Sequence, residues 1–150
     1  MNQINDTSTL DKATAYIILR MGRLLRMDLS RTLQNAGVGI TPEQWFILFR
    51  LYEQDGLSQS DLADKLLNDH PNITRLVDAL EAGAYIRRDN DPEDRRRYLL
   101  RLTATGRQLV ENLFPVVIAR RQELFNGLDE QAIEQLHATL KVIEQNLIQS

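Results

Sequence analysis

The stretch that decides the fold is LSQSDLADKLLNDHPNITRLVDALEAGAYIRRDNDPEDRRRYLLRL, residues Leu57–Leu102. Its apolar spacing predicts two short helices, the first over Gln59–Leu67 and the second from His70 to its end at Gly83. Two short helices joined by a tight turn are typical of a helix-turn-helix.

Polar residues with capping geometry mark the helix starts in and before this stretch. The predicted caps are Thr41 with Gln44, Ser58 with Asp61, and Asp69. The first two pairs have the spacing of a capping box, in which each side chain accepts from the backbone N–H of the other residue. Pro42 fits the first helical position, and the helix that it opens is predicted to run to about Glu53.

A hairpin is predicted directly after the second short helix. Tyr85–Arg88 and Tyr98–Leu102 are predicted strands, and the segment between them, Asp89–Arg97, is polar and turn-forming. A helix-turn-helix followed at once by a hairpin with a long charged tip is a winged helix.

Long helices are predicted on both sides. Leu10–Asn35 carries two apolar stripes without a proline. Thr103 can cap a helix that contains Pro115, which we expect to kink or interrupt it, and a last helix begins at Leu128-Asp129. Apolar residues in that last helix recur at alternating spacings of three and four: Ile133, Leu136, Leu140, Ile143 and Leu147.

These elements predict one domain over residues 1–150, mainly α with a small β-hairpin wing. A winged helix-turn-helix region at about 41–102 would be flanked by helices at about 10–35 and 104–148. The apolar stripes of the flanking helices are too broad for a small monomer to cover. We therefore expect them to form a homodimer.

Composition excludes several classes of protein. The 150 residues include no cysteine, which excludes disulfides, thiolate metal sites and thiol nucleophiles. No apolar run approaches the ~20 residues of a membrane span, and no signal-peptide core is found, so we expect a cytoplasmic protein with no membrane contact. No phosphate loop, nucleophile elbow or metal-ligand spacing is present, and the only histidines are His70 and His137. We expect no catalytic residue, metal or cofactor.

Charge is unevenly distributed along the chain. The net charge is −3, but the seven arginines and four acids between Tyr85 and Arg107 leave that window at +3. Arginine is suited to bidentate contact with phosphate and guanine. A local basic segment that includes the predicted hairpin tip is compatible with nucleic-acid binding despite the acidic total.

The segment from Thr41 to Val110 resembles the MarR family of winged-helix regulators. The matching motifs are Leu57–Ala63, Ile73–Gly83, Asp91–Arg97 and Leu102–Gly106. The most specific piece is the Asp-x-Arg of Asp94 and Arg96, which leads into Leu-Thr-x-x-Gly. Two departures leave the base preference open: Leu67 stands where the family commonly has Gly, and His70-Pro71-Asn72 replaces a Ser/Thr-rich opening of the recognition helix.

The resemblance implies a homodimeric transcriptional regulator that binds a pseudo-palindromic operator in double-stranded DNA. It further favours a repressor that a small-molecule ligand releases, with an activator as the alternative and the ligand pocket between the dimer and DNA-binding regions. The alternative is a winged-helix module that binds a protein partner and no DNA. Salt discriminates the two, because DNA binding weakens steeply with ionic strength.

The second helix of the pair supplies the candidate base contacts. With Ile73 inward, a turn of about 100° per residue puts Arg75 opposite the core and Asn72 beside that face. The start of such a helix enters the major groove, where Asn pairs with adenine and Arg with guanine. An ion pair with Asp78 or a phosphate contact is the alternative for Arg75. The residues expected to contact phosphate are Ser58, Ser60, His70 and Thr74.

The hairpin tip supplies candidate minor-groove contacts. Arg95, Arg96 and Arg97 lie where side chains can reach a minor groove, whose negative potential favours arginine. The resemblance singles out Arg96 as the groove arginine and Asp94 as the partner that holds the wing. A solvated loop is the alternative.

Candidate ligand contacts lie on the first two helices. Tyr16, Trp45 and Phe49 are candidates for lining a pocket of the kind that the family uses for small phenolic or other aromatic ligands. Arg20 could bind a ligand carboxylate. Core packing is the alternative for Trp45 and Phe49.

Overall fold

The computed structural model describes residues 12–150, which form six helices and one two-stranded antiparallel sheet. The elements are α1 (Thr14–Asn35), α2 (Pro42–Glu53), α3 (Gln59–Leu66), α4 (His70–Ala82), β1 (Ile86–Asn90), β2 (Tyr98–Leu102), α5 (Ala104–Leu124) and α6 (Glu130–Gln149). The predicted fold class, mainly α with a small hairpin, is confirmed. Leu10, the predicted first residue of the first helix, lies outside the described residues.

The predicted helix caps form. Thr41 Oγ1 accepts from the Gln44 N–H at 3.2 Å while Gln44 Oε1 accepts from the Thr41 N–H at 2.9 Å. Ser58 and Asp61 exchange the same pair of bonds at 3.1 and 3.0 Å. Caps of this kind satisfy N–H groups that have no partner inside the helix, so they fix where each helix begins.

α4 ends at Gly83, as predicted. Gly83 is the C-cap but keeps a right-handed conformation, and Ala84 takes the positive φ of 61°. A Cβ on Gly83 would lie 3.0 Å from the Tyr85 ring, so the glycine leaves room for that ring to approach the backbone.

At the end of α3, Leu67 adopts the left-handed conformation with φ 48° and is 73% exposed. Left-handed geometry costs a non-glycine residue about 1–2 kcal/mol.

The wing begins one residue later than predicted. Tyr85 is outside β1 because its N–H donates to the Leu80 carbonyl at 3.0 Å, which prolongs the turn after α4. β1 instead extends to Asn90, which pairs with Tyr98 of β2. Leu57 forms a further antiparallel bridge with Leu100, so the start of the helix pair is tied directly to the wing.

The Leu-Thr-x-x-Gly motif joins the wing to α5. Thr103 Oγ1 accepts from the Gly106 N–H at 3.0 Å and donates to the Ala84 carbonyl at 2.6 Å. A Cβ on Gly106 would overlap the Tyr85 carbonyl oxygen and lie 2.9 Å from its carbon, so only glycine fits. The interruption expected at Pro115 does not occur, because α5 is one helix from Ala104 to Leu124.

One apolar core holds α2, α3, α4, the wing and the first part of α5 together. Its fully buried side chains include Ile47, Leu48, Leu51, Leu62, Ile73, Val77, Leu80, Ile86, Leu100 and Val110. Their burial fixes the two short helices against the strands, and burial of each such side chain stabilises the fold by about 1.5–3 kcal/mol.

The chain divides into two compact units, the first ending at Val117 and the second spanning Ile118–Ser150. In the first unit most of α1 is exposed, and its only buried residue is Leu33. In the second unit α6 has no buried residue. Among residues 12–150, no helix combines the length and the apolar character that a membrane crossing requires.

Candidate nucleic-acid interface

The two short helices present their polar side chains in a fixed arrangement. Asp69 Oδ1 accepts from the Asn72 N–H at 2.8 Å and so sets the start of α4. Ile73, Val77 and Leu80 are buried on the opposite side of the helix. With that face anchored in the core, the first turns of α4 are held outward.

The predicted base-reading residues contact each other. Arg75 is exposed and donates from Nη2 to Asn72 Oδ1 at 3.3 Å. Asn72 in turn donates from Nδ2 to Asn68 Oδ1 at 2.8 Å. The Asp78 carboxylate binds Arg88 at 2.6 Å, so the ion pair considered for Arg75 is replaced by another partner. Arg75 and Asn72 are therefore neighbours on one surface, with the guanidinium outermost.

The residues predicted to contact phosphate differ in their exposure to solvent. Ser60 and His70 are exposed. Thr74 is also exposed, but its hydroxyl accepts from Gln59 Nε2 at 3.0 Å and donates to the His70 carbonyl at 3.0 Å. Ser58 is only 4% exposed and serves α3 as its cap. Ser58 is thus a structural residue in this arrangement, and Ser60 presents the accessible hydroxyl.

At the wing tip, Asp94 acts through hydrogen bonds to backbone N–H groups, while Arg97 pairs with Asp91 at 3.9 Å. Asp94 Oδ1 accepts from the Arg96 N–H at 3.0 Å, and the Asp94 carbonyl accepts from the Arg97 N–H at 3.0 Å. Asp91 Oδ1 caps the preceding turn by accepting from the Glu93 N–H at 2.9 Å. Asp94 therefore shapes the turn and leaves the exposed Arg96 guanidinium available to a partner.

A groove brings the start of α3 and the wing together. Its volume is about 340 Å³, and its lining residues are Ser58, Gln59, Ser60, Asp61, Arg96, Arg97 and Tyr98. Arg97 Nη2 contacts Asp61 Oδ2 at 3.5 Å across the groove. Hydrogen bonds from Ser58 to Asp61, assisted by the charge of Arg97, lower the pKa of the Asp61 carboxyl. The exposed Ser60 hydroxyl and the two arginines line one groove, and together they suit contact with a phosphate backbone.

Two further residues of this region were missed by the sequence reasoning. Arg88 on β1 contacts Asp78 and Glu81, each at 2.6 Å, and Gln59 at 3.3 Å. Partial burial opposes the charge of Arg88, but its carboxylate partners outweigh this effect and raise its pKa. Gln59 is 29 positions from Arg88, so no local spacing signals the contact.

The four candidate ligand residues form two groups: Trp45 and Phe49 are in ring contact, with centroids 5.6 Å apart, whereas Tyr16 and Arg20 lie together on α1. Trp45 is 4% exposed and belongs to the core. Tyr16 and Arg20 line an open crevice on the surface of α1 together with its own neighbours Ile17 and Met21. Phe49 lines a separate cavity from the one at Tyr16 and Arg20.

The cavity at Phe49 is aromatic. It measures about 210 Å³ and is lined by Phe49, Tyr52, Glu111, Phe114 and Pro115. Phe49 stacks on Phe114 with ring centroids 5.5 Å apart and an interplanar angle of 7°. The Arg107 guanidinium lies 5.3 Å from the Tyr52 ring centroid. Stacked rings beside a cation and a carboxylate suit a small aromatic molecule.

Comparison with known proteins gives consistent matches. The sequence model of the MarR family matches residues 40–98. A protein of Thauera aromatica, whose name assigns it to transcriptional regulation of the hcr operon, is 33% identical over 113 residues, 75% of this chain and 68% of that protein.

Solved structures match over nearly the whole length. The S. aureus MepR–DNA complex has a TM-score of 0.81 and 31% identity, covering 90% of this chain and 98% of MepR. CouR from Rhodococcus jostii RHA1, solved with p-coumaroyl-CoA bound, has a TM-score of 0.80 and 27% identity, covering 90% of this chain and 94% of CouR.

Proposed function

Because this chain belongs to the MarR family of transcriptional regulators, we propose that it binds double-stranded DNA as a homodimer and acts as a repressor. In this proposal α4 enters the major groove, where Arg75 and Asn72 contact base edges. Arg96 enters the adjacent minor groove, and Ser60, His70, Thr74, Arg95 and Arg97 contact the phosphate backbone.

The observation that carries the proposal is the groove between α3 and the wing. It unites Ser60 with Arg96 and Arg97, which are about 36 positions apart in the sequence, on one accessible surface. The resemblance to MepR, which was solved in complex with DNA, supports the same use of the fold here.

Homodimerisation is supported by apolar side chains left exposed on the flanking helices. On α1 these include Ile17, Leu19, Met21, Leu24 and Leu25, and on α6 Leu136, Leu140, Leu147 and Ile148. Monomeric proteins rarely expose large apolar patches. A two-fold dimer would present two α4 helices to half-sites about 10 bp apart on a pseudo-palindrome.

A small aromatic effector is proposed for the cavity at Phe49. Its volume is below the ~300–1,000 Å³ of most ligand pockets, which favours a phenolic compound or a single-ring acid over a larger molecule. The relative CouR was solved with p-coumaroyl-CoA, a larger ligand that also carries a phenolic ring. Because the cavity lies on α2 and α5, a ligand there would alter the support of the helix pair.

The test is a binding titration on two duplexes. The selected duplex is the one that the protein enriches from a random-sequence pool, and the scrambled duplex has the same composition in another order. We expect the selected duplex to bind more tightly, with affinity for both falling steeply as salt rises. Enrichment of no sequence, together with salt-insensitive binding, would contradict the proposal and favour a protein-interaction module.

A further inference from the structure

One side chain of the wing joins three elements of the DNA-binding region. Arg88 on β1 donates from Nη1 to Glu81 Oε1 and from Nη2 to Asp78 Oδ1, both on α4 and both at 2.6 Å. Its Nη2 also donates to Gln59 Oε1 on α3 at 3.3 Å. The Arg88 side chain is 21% exposed, so these contacts are partly shielded from water. Partial shielding strengthens charge-assisted hydrogen bonds.

The contacts continue toward the first turn of α4. Gln59 donates from Nε2 to Thr74 Oγ1, and the Thr74 hydroxyl donates to the His70 carbonyl, each at 3.0 Å. Arg88 therefore holds the second half of α4 directly and the first half through Gln59. The Gln59 amide completes the link, because it contacts both Thr74 of α4 and Arg88 of β1.

We propose that Arg88 is a positioning residue that fixes α4 relative to the wing and thereby sets the preference for the operator over other DNA. The inference rests on the proposed function. Specific binding requires α4 and the wing to enter their grooves at one fixed spacing. If the two elements are free to move relative to each other, binding to the operator must remove that conformational freedom, and the affinity falls. Non-specific binding depends on charge alone and needs no fixed spacing.

Charge and geometry can be separated by substitution with lysine. Lysine keeps the positive charge beside Asp78 and Glu81, but it lacks the planar fork that contacts three partners at once. The matched control is Arg87→Lys on the same strand, because Arg87 is exposed and pairs with Asp89 at 3.1 Å outside this network.

The experiment measures the affinity of Arg88→Lys and Arg87→Lys for the selected and scrambled duplexes at several salt concentrations, and thermal unfolding verifies the fold. We expect Arg88→Lys to lose about tenfold or more in affinity for the selected duplex, the order of one charge-assisted hydrogen bond. Its affinity for the scrambled duplex should stay within about twofold, since charge is retained. Arg87→Lys should leave the ratio of the two affinities unchanged.

Equal losses on both duplexes, or a ratio equal to that of Arg87→Lys, would overturn the inference while leaving the proposed function intact. If Arg88→Lys does not fold, Glu81→Gln decides: a reduced ratio supports the positioning role and an unchanged ratio overturns it. If the unmodified protein binds neither duplex, the proposed function fails and the inference fails with it.

Discussion

Arg75 is the side chain on α4 that is best placed to read a base, being exposed and held by Asn72 at 3.3 Å. We predict that Arg75→Ala weakens binding to the selected duplex by about 1–3 kcal/mol and relaxes discrimination at one position in each half-site. Repeating the selection from the random pool with the variant measures both effects. An unchanged consensus would show that Arg75 does not read a base.

Arg96 is expected to give a different signature, because a minor groove is read mainly by its width and its A·T content. We predict that Arg96→Ala weakens binding to the selected duplex and to other A·T-flanked duplexes together, and that the salt dependence becomes shallower. Titration of both duplexes over a range of salt provides the measurement. Parental affinity at every salt concentration would exclude a wing contact at this position.

The residues that sequence reasoning found and those that it missed differ in how far along the sequence their contact partners lie. The caps at Thr41, Ser58 and Asp69 were predictable because each cap bonds to a residue three positions away. Arg88 was not, because its partners come from two other elements. The DNA-contact roles of Arg75 and Arg96 stay predictions.

At the scale of elements, the join between the wing and α5 depends on Gly106. We predict that Gly106→Ala lowers the free energy of unfolding by about 1–3 kcal/mol, since the added Cβ would overlap the Tyr85 carbonyl. Urea unfolding measures the change. Gly39→Ala is the control, because a Cβ there meets nothing within 4 Å; equal effects of the two substitutions would refute the packing argument.

The capping box of α3 makes stability depend on pH. Because the pKa of Asp61 is lowered in the folded state, its contribution is present above the unfolded-state pKa of about 3.9 and is lost as pH falls through the folded value. We predict that the stability difference between the unmodified protein and Asp61→Asn is constant from pH 7 to about pH 5 and shrinks as the pH falls further toward about pH 3. Asp64→Asn, which removes an exposed carboxylate of the same helix, controls for general charge effects. A difference that does not vary with pH would contradict this.

Element boundaries were predictable where the signal is a cap, and less so where packing decides. The glycine at position 83 indicated the end of α4 correctly, but the left-handed residue is Ala84, and Gly83 accommodates the Tyr85 ring instead. β1 starts one residue later than predicted because Tyr85 belongs to the turn that follows α4. Sequence spacing does not reveal which neighbour will pack against a glycine.

At the scale of the whole molecule, dimerisation is the property with the sharpest test. Leu136 and Leu140 lie one turn apart on α6 and are each 39% exposed. We predict that replacing both with Glu yields a monomer, or an unfolded chain, and abolishes tight binding to the selected duplex. Ultracentrifugation at micromolar concentration measures the mass. Val142→Glu, on the opposite side of α6, is the control and should remain dimeric; a stable monomer of the unmodified chain would exclude the dimer.

The net charge of −3 does not oppose DNA binding. Electrostatic interactions between exposed charges are screened beyond a Debye length of about 8 Å at physiological salt. A duplex seated on the groove therefore responds to the nearby arginines of the wing far more than to acids elsewhere in the chain. The charged residues that line the groove are Arg96, Arg97 and Asp61, which leave it with a net positive charge.

The exposed arginines of the hairpin tip also bear on how quickly an operator is found. Contacts that neutralise phosphates are available on any duplex, and they allow a protein to slide and hop along DNA. A genome offers on the order of 10⁶–10⁹ competing sites. Under the proposed mode, Arg95–Arg97 would therefore set the residence time of the protein on each non-specific site. More positive charge at the tip would lengthen the residence time on non-specific sites and slow the search for the operator. Less positive charge would shorten the residence time on the operator itself.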